Sequence, residues 1–227
     1  MRILLVTAVL LLIATALIYW QIIRQPVNTG SFASPSPRAP TPLVSAFVSA
    51  PAATPSPTSL SAQLTPPISN ALARITKKPF GLYVTPTNSP ISPEKFTGYH
   101  TGVDFETLPD EADVDVPIYA VCSGPLRLKE RASGYGGVAV QQCILANQTA
   151  TIIYGHLRLA SISAKAGEQL VAGQPIAVLG TGYSIETDGE RKHLHLGIHQ
   201  GTQINILGYV QNQTDLASWL DALQYLK

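Results

Sequence analysis

The arrangement of apolar and polar positions divides the chain into three stretches. Met1-Arg2 precedes 21 uncharged, mostly apolar residues, Ile3 to Ile23, and Arg24 closes the run. At ~1.5 Å rise per residue, a helix of this length spans a hydrocarbon core of ~30 Å. Tyr19 and Trp20 lie near one end, where aromatic rings favour the membrane interface. The run has no polar face, which argues against a helix buried on one side of a globular core. Residues 1–24 are therefore expected to form a transmembrane signal anchor. A cleaved signal peptide is the alternative, with Ala14-Thr15-Ala16 as its cleavage site, although that site lies inside an apolar run longer than the usual ~7–15 residues. Both readings carry the rest of the chain across a membrane.

Between Gln25 and Ala73 there is one charge, Arg38, and ten of the 18 prolines. Proline denies this stretch a helix or a central strand. Residues 25–74 read as an extended, semi-rigid linker rich in Pro, Ser and Thr, with a reach approaching ~150 Å at ~3.1 Å per residue.

From residue 75 onward the pattern becomes strand-like. Pro117–Cys122, Pro125–Leu128, Gly137–Val140, Thr151–Tyr154, Ile176–Leu179 and Leu194–Ile198 are short β-rich runs punctuated by Gly or Pro. Such spacing predicts an all-β, antiparallel domain over 75–227. One helix is expected at the C-terminal end. Leu216, Trp219, Leu220, Leu223 and Leu226 recur at helical spacing after Thr214 or Asp215, and this helix would cover the sheet.

Composition narrows the function. Charged residues make up 13% of the chain and the formal net charge is +1, which excludes nucleic-acid binding driven by bulk electrostatics. A hydrophobic content of 45% excludes a wholly disordered chain. Cys122 and Cys143 flank the Ala132–Gly137 turn region, and their spacing is not a zinc motif. A disulfide is permissible outside the cytoplasm, and two buried thiols are the other reading.

All five histidines fall in the β-rich part, in three groups. His100 and Asp104 are four apart, so in a strand they share a face, with Gly102 between them leaving that face open. His193, His195 and His199 share one face of an alternating strand, and Leu194, Leu196 and Ile198 take the other. His156 follows Tyr154 by two, which would put phenol and imidazole in one groove. Three imidazoles on one face are costly to bury without a metal or hydrogen-bond partners. A catalytic zinc takes three protein ligands and keeps one position open. His100, Asp104 and one histidine of the His193–His195 pair would supply the ligands. The other would stand beside the reacting water, and the chemistry alone does not say which is which.

These motifs, H-T-G-V-D at His100–Asp104, Y-G-H-L at Tyr154–Leu157 and H-L-H-L at His193–Leu196, resemble in order those of the lysostaphin-type (LytM-domain) zinc endopeptidases. The resemblance extends over about Thr76 to Gly208 and includes P-F-G at Pro79–Gly81, P-I-Y-A-V-C-S-G at Pro117–Gly124, Lys165–Gln174, and G-T-G-Y-S at Gly180–Ser184. It implies an antiparallel sheet with a narrow groove over the metal. It implies His100, Asp104 and His195 as zinc ligands, with His156 and His193 as the catalytic histidines. It further implies peptidoglycan peptides as substrate. Together with the export segment, it leads to the expectation of a single-pass membrane protein whose zinc endopeptidase domain is extracytoplasmic. A non-catalytic wall-binding or hydrolase-activating module on the same fold is the rival. A closed structural zinc site of His100, Asp104, His193 and His195 is a third reading.

Two stretches depart from the family pattern. Ile185–Lys192, with five charges, is longer than expected before H-L-H-L and is read as a loop on the groove rim. Leu108–Val116, with Asp110, Glu111, Asp113 and Asp115, is read as a solvated acidic loop. His199 has no place in the motif beyond lining the groove.

Overall fold

The computed structural model describes residues 63–226, and the expected anchor and residues 25–62 of the expected linker lie outside them. Among the described residues no helix is long and apolar enough to cross a membrane.

Eleven strands form the domain: β1 (Tyr83–Val84), β2 (Gly98–His100), β3 (Gly102–Glu106), β4 (Pro117–Tyr119), β5 (Gly124–Ala132), β6 (Gly136–Leu145), β7 (Gln148–Gly155), β8 (Gln169–Leu170), β9 (Pro175–Val178), β10 (His193–Gln200) and β11 (Tyr209–Val210). The main sheet has six strands in the order β3-β10-β7-β6-β5-β8. Every neighbouring pair in it is antiparallel. A three-stranded sheet, β1-β2-β11, and a β4-β9 pair complete the domain. The β6–β7 hairpin closes on Ala146 and Asn147, at φ 47° and 63°. Two positive φ values give the turn the twist that matches two antiparallel strands.

The alternation in β10 sorts its side chains as expected. Leu194, Leu196 and Ile198 enter the core with Val103, Phe105, Ile152 and Tyr154, and the histidines take the other face. A smaller cluster of Tyr135, Val138, Val140, Ile153 and Trp219 covers part of that second face. Residues of β6, β7 and β10 are therefore buried on both sides. Cys122 and Cys143 form a disulfide with Cα atoms 6.0 Å apart, and it ties the turn before β5 to β6.

Three expectations need correction. The C-terminal segment is not an α-helix but two 3-10 turns, Gln213–Ser218 and Ala222–Gln224, separated by extended residues. Trp219 bridges to His199 of β10, and the Leu220 N–H donates to the Ile198 carbonyl at 2.9 Å. Strand-like pairing to β10 thus wins over local helical spacing, while Ala222 and Leu226 still cover the core. Packing also begins before the boundary drawn at 74/75. Leu64 and Ile68 are core residues, and Leu64 bridges to Leu226. Finally, the acidic segment is not simply solvated. Glu111 accepts from Arg74 Nη2 at 2.7 Å, and Lys192 Nζ donates to the carbonyls of Glu111, Ala112 and Val114.

Candidate active site

Strand register places the candidate residues. In β10, His195 lies opposite Asp104 of β3 on one side and Gly155 of β7 on the other. His100 comes from β2, in the other sheet, and the chain crosses between sheets at Thr101. That residue is pinned by its N–H to the Gly208 carbonyl and by its hydroxyl to the Leu207 carbonyl at 2.6 Å. His100 and Asp104 meet across this break, although no single strand carries both.

His100 Nε2, His195 Nδ1 and Asp104 Oδ1 form a triangle. The edges are 3.0 Å between the two nitrogens and 3.2 Å from each nitrogen to the oxygen. Ligands of a tetrahedral zinc, at ~2.0–2.1 Å from the ion, stand ~3.3–3.4 Å apart. Two imidazole nitrogens and a carboxylate oxygen, all buried, are a donor set that fits zinc. The groups behind them fix the orientation. His100 Nδ1 donates to the Pro79 carbonyl at 3.1 Å, which leaves Nε2 its lone pair. Asp104 Oδ2 accepts from Arg191 Nη2 at 2.8 Å, which turns Oδ1 toward the imidazoles.

The two motif glycines make room for this centre. A Cβ at Gly102 would stand 2.7 Å from His195 Nε2 and 2.6 Å from the Leu196 carbonyl oxygen. A Cβ at Gly155 would overlap the Tyr135 ring and press on His195.

Burial sets the protonation states. It pushes His195 down to about 4 against the raising influence of Asp104. Burial, and then the neighbouring His193, hold His156 well below the usual imidazole range. Burial alone would raise Asp104, but His193 and His100 outweigh it and hold the carboxyl well below its usual range. Two neutral imidazoles and an ionised carboxylate result, the forms in which these groups offer lone pairs.

His193 and His156 complete the cluster. His193 Nδ1 donates to the Arg191 carbonyl at 2.9 Å, and its Nε2 faces Asp104 Oδ2 at 3.3 Å. The His156 ring centroid is 4.3 Å from that of His193. His156 follows the end of β7 in the left-handed region, at φ 61°. Non-glycine residues take that region uncommonly, Asn, Asp and His more often than others, and such conformations gather at functional sites. The conformation breaks the expected parity with Tyr154. The Tyr154 phenol is in the core, donating to Gln141 Oε1 at 2.7 Å, while His156 lines the groove. His199 is not a groove residue either, because its ring packs edge-on against Trp219 at 4.9 Å.

The groove has a volume of about 270 Å³. Ser133–Tyr135 of the β5–β6 connection, the segment Ile206–Tyr209, and Glu190 with Arg191 all contribute to its lining. The long loop 185–192 reaches it as expected, yet Arg191 is not a solvated rim charge. Its Nε and Nη2 grip both oxygens of the buried Glu106 while Nη2 also holds Asp104. Burial pushes Glu106 up, and the Arg191 guanidinium more than offsets this, so the carboxyl stays lowered. Sequence reasoning missed Arg191, Glu106, Tyr135 and Tyr209. Only Tyr135 carried a local signal, as an aromatic set between glycines in S-G-Y-G-G at Ser133–Gly137.

Comparison with known proteins gives one sequence family. The family model described as Peptidase family M23 matches residues 98–206. No curated protein matches the chain. Among solved structures, Csd3 of Helicobacter pylori is 24% identical, covering 66% of this chain and 35% of that one, with a TM-score of 0.42. LytU is 25% identical over 65% of this chain and 80% of its own, with a TM-score of 0.43. The catalytic domain of the antimicrobial peptidase lysostaphin from Staphylococcus simulans is 20% identical over 69% of this chain and 96% of its own, with a TM-score of 0.44. The chain thus spans about a third of the length of Csd3. The family match holds His100, Asp104, His156, His193 and His195 within its span, and over residues 98–206 the chain is similar to peptidase family M23.

Proposed function

We propose that the protein is a zinc-dependent endopeptidase that hydrolyses peptide bonds of peptidoglycan. The observation that carries this reading is the triangle of His100 Nε2, Asp104 Oδ1 and His195 Nδ1 at the groove, with two further histidines beside it. A zinc ion held by these three atoms would polarise a scissile carbonyl and acidify a water molecule. His193, its Nδ1 proton committed to the Arg191 carbonyl, turns the Nε2 lone pair toward the site. It is the group suited to accept the proton of attacking water. His156 stands on the groove wall beside it, placed to donate to the negative charge that develops on the carbonyl oxygen. Support for an open site over a closed four-ligand one is that His193 faces Asp104 Oδ2, the oxygen bound by Arg191, and not Oδ1. The complete set of five side chains also speaks against a non-catalytic module.

The same proposal places the domain outside the cytoplasm, anchored by residues 1–24 and held off by the proline-rich linker. It rests on the apolar run and composition of the sequence.

The purified protein, incubated with peptidoglycan, should release new amine termini, and a chelator should abolish this until zinc is restored. His193→Ala at full zinc occupancy should lose about 10²–10⁴-fold in rate. Equal rates for wild type and His193→Ala would sink the mechanism.

A further inference from the structure

Tyr135 is a groove residue that this mechanism does not use. It sits between strands β5 and β6, at the tip of their connection. Its ring lies beside both His156 and His195, at centroid distances of 5.6 and 5.3 Å. It is almost fully buried, and its Oη has no hydrogen-bond partner. A buried hydroxyl without a partner costs about 1–3 kcal/mol, so one that persists calls for an explanation.

The fold makes specific room for this phenol. At Gly155 only a glycine fits against the ring, because any Cβ would overlap it. On the opposite wall, a Cβ at Gly208 would stand 3.1 Å from Oη. The hydroxyl therefore points toward the Ile206–Tyr209 wall of the groove, at Gly208. Oη is a phenol donor with no partner of its own.

We propose that Tyr135 is a further catalytic residue, whose Oη donates a hydrogen bond to the carbonyl oxygen of the scissile peptide as that oxygen gains charge. The inference rests on the peptidase reading above. It assigns Tyr135 a share of transition-state stabilisation, opposite His156, and its ring the task of walling the two imidazoles.

Tyr135→Phe keeps the ring and removes only the donor. Two readouts are compared with wild type. One is kcat on synthetic peptides carrying a glycyl–glycyl or a D-alanyl bond. The other is affinity of the zinc-loaded protein for a phosphinate that replaces the cleaved bond with a tetrahedral group. The variant should lose about 100-fold in kcat, the scale of one deleted oxyanion donor, and a similar factor in phosphinate affinity. Affinity for the uncleaved peptide, zinc content and melting temperature should hold, the last because no partnered hydrogen bond is lost. Gly208→Ala, which presses on Oη from the far wall, should weaken phosphinate binding in the same direction. Unchanged kcat and phosphinate affinity in Tyr135→Phe would overturn the assignment. A wild type that binds the phosphinate but cleaves neither peptide would end the peptidase reading alone, and Tyr135 would then be judged by the affinity difference. A wild type that does neither overturns both.

Discussion

Arg191 offers the sharpest test of how the site is held. Its guanidinium reaches Asp104 Oδ2 at 2.8 Å and Glu106 Oε2 at 2.9 Å, and all three residues are buried. One such contact has a gross attraction of about 6 kcal/mol at an effective dielectric of ~20, most of it offset by desolvation. Removing one partner of a buried pair costs more than the net worth of that pair, because the charges left behind cannot recover their water. Arg191→Met takes the guanidinium from two buried carboxylates, leaving Glu106 only the half-exposed Lys77 at 3.4 Å, and should destabilise the domain by about 3–5 kcal/mol. At ~2–4 °C per kcal/mol for a domain of this size, the melting temperature should fall by roughly 6–20 °C.

The same change should act on metal binding. Without Arg191, Asp104 is free to rotate away from the imidazoles. Loss of a partner behind a metal ligand typically costs ~10–100-fold in affinity. Arg191→Lys should fall between, since an ammonium cannot grip Glu106 through two nitrogens while also reaching Asp104. Denaturant unfolding of the metal-free protein separates the stability effect, and competition for zinc with a chelator of known affinity gives the other. The double variant Arg191→Met with Glu106→Gln should recover part of the stability and none of the zinc affinity. If Arg191→Met unfolds at the wild-type denaturant concentration and holds zinc as tightly, the account of this network is wrong.

Other consequences follow from the same geometry. Gly102→Ala should displace the His195 ring, since its Cβ would stand 2.7 Å from Nε2, and zinc measured after gel filtration should fall well below wild-type content. Replacing both Cys122 and Cys143 by Ser frees a loop of 21 residues' separation and should cost about 3 kcal/mol in urea unfolding, with the histidine cluster untouched. Acid should unfold the protein through Glu94, Glu106 and Glu111. Lys78, Arg191 and Arg74 respectively help hold these three carboxyls below their ordinary value of 4.5. A lowered folded value stabilises in full above the ordinary one and is lost as pH falls below it. Stability against urea should therefore begin to fall as pH drops through about 6.5, where the unfolded chain protonates histidines that stay neutral when buried at 156 and 195, and should fall further below 4.5; Glu111→Gln should be less stable than wild type at pH 7 with a shallower decline below 4.5.

Much of the site was legible because its side chains sit on short, regular stretches. Strict alternation in β10 sends Leu194, Leu196 and Ile198 inward, and this alone commits His193 and His195 to the opposite face. Register then brings His195 against Asp104. What stayed hidden depends on contacts distant in sequence or on single backbone angles. Arg191 grips Glu106 and Asp104 from 85 and 87 residues away, so its sequence neighbourhood shows only a charged loop. The left-handed turn at His156 overrides a parity argument that holds only while a strand continues. In the C-terminal segment, Leu and Trp at intervals of three and four fit an α-helix and two 3-10 turns equally well. The pairing of Leu220 with Ile198 decides between them.

The alternation that makes β10 readable also makes fold and site one specification. A slip of one residue in its pairing would send the histidines into the core and the leucines into the groove. The core face prevents this, because Leu194, Leu196 and Ile198 are fully buried and none of the histidines could replace them without stranding buried nitrogens. The candidate metal triangle therefore draws first on strand register, with loop contacts from Arg191 and Leu207–Gly208 added to it. Two of its corners are fixed by the β3–β10 ladder, and the third by the crossing at Thr101, whose two hydrogen bonds tie it to the Leu207–Gly208 backbone. The same two residues form the wall that faces Tyr135. Ligand geometry and groove shape thus share one anchoring point, and a change at Thr101 would reach both.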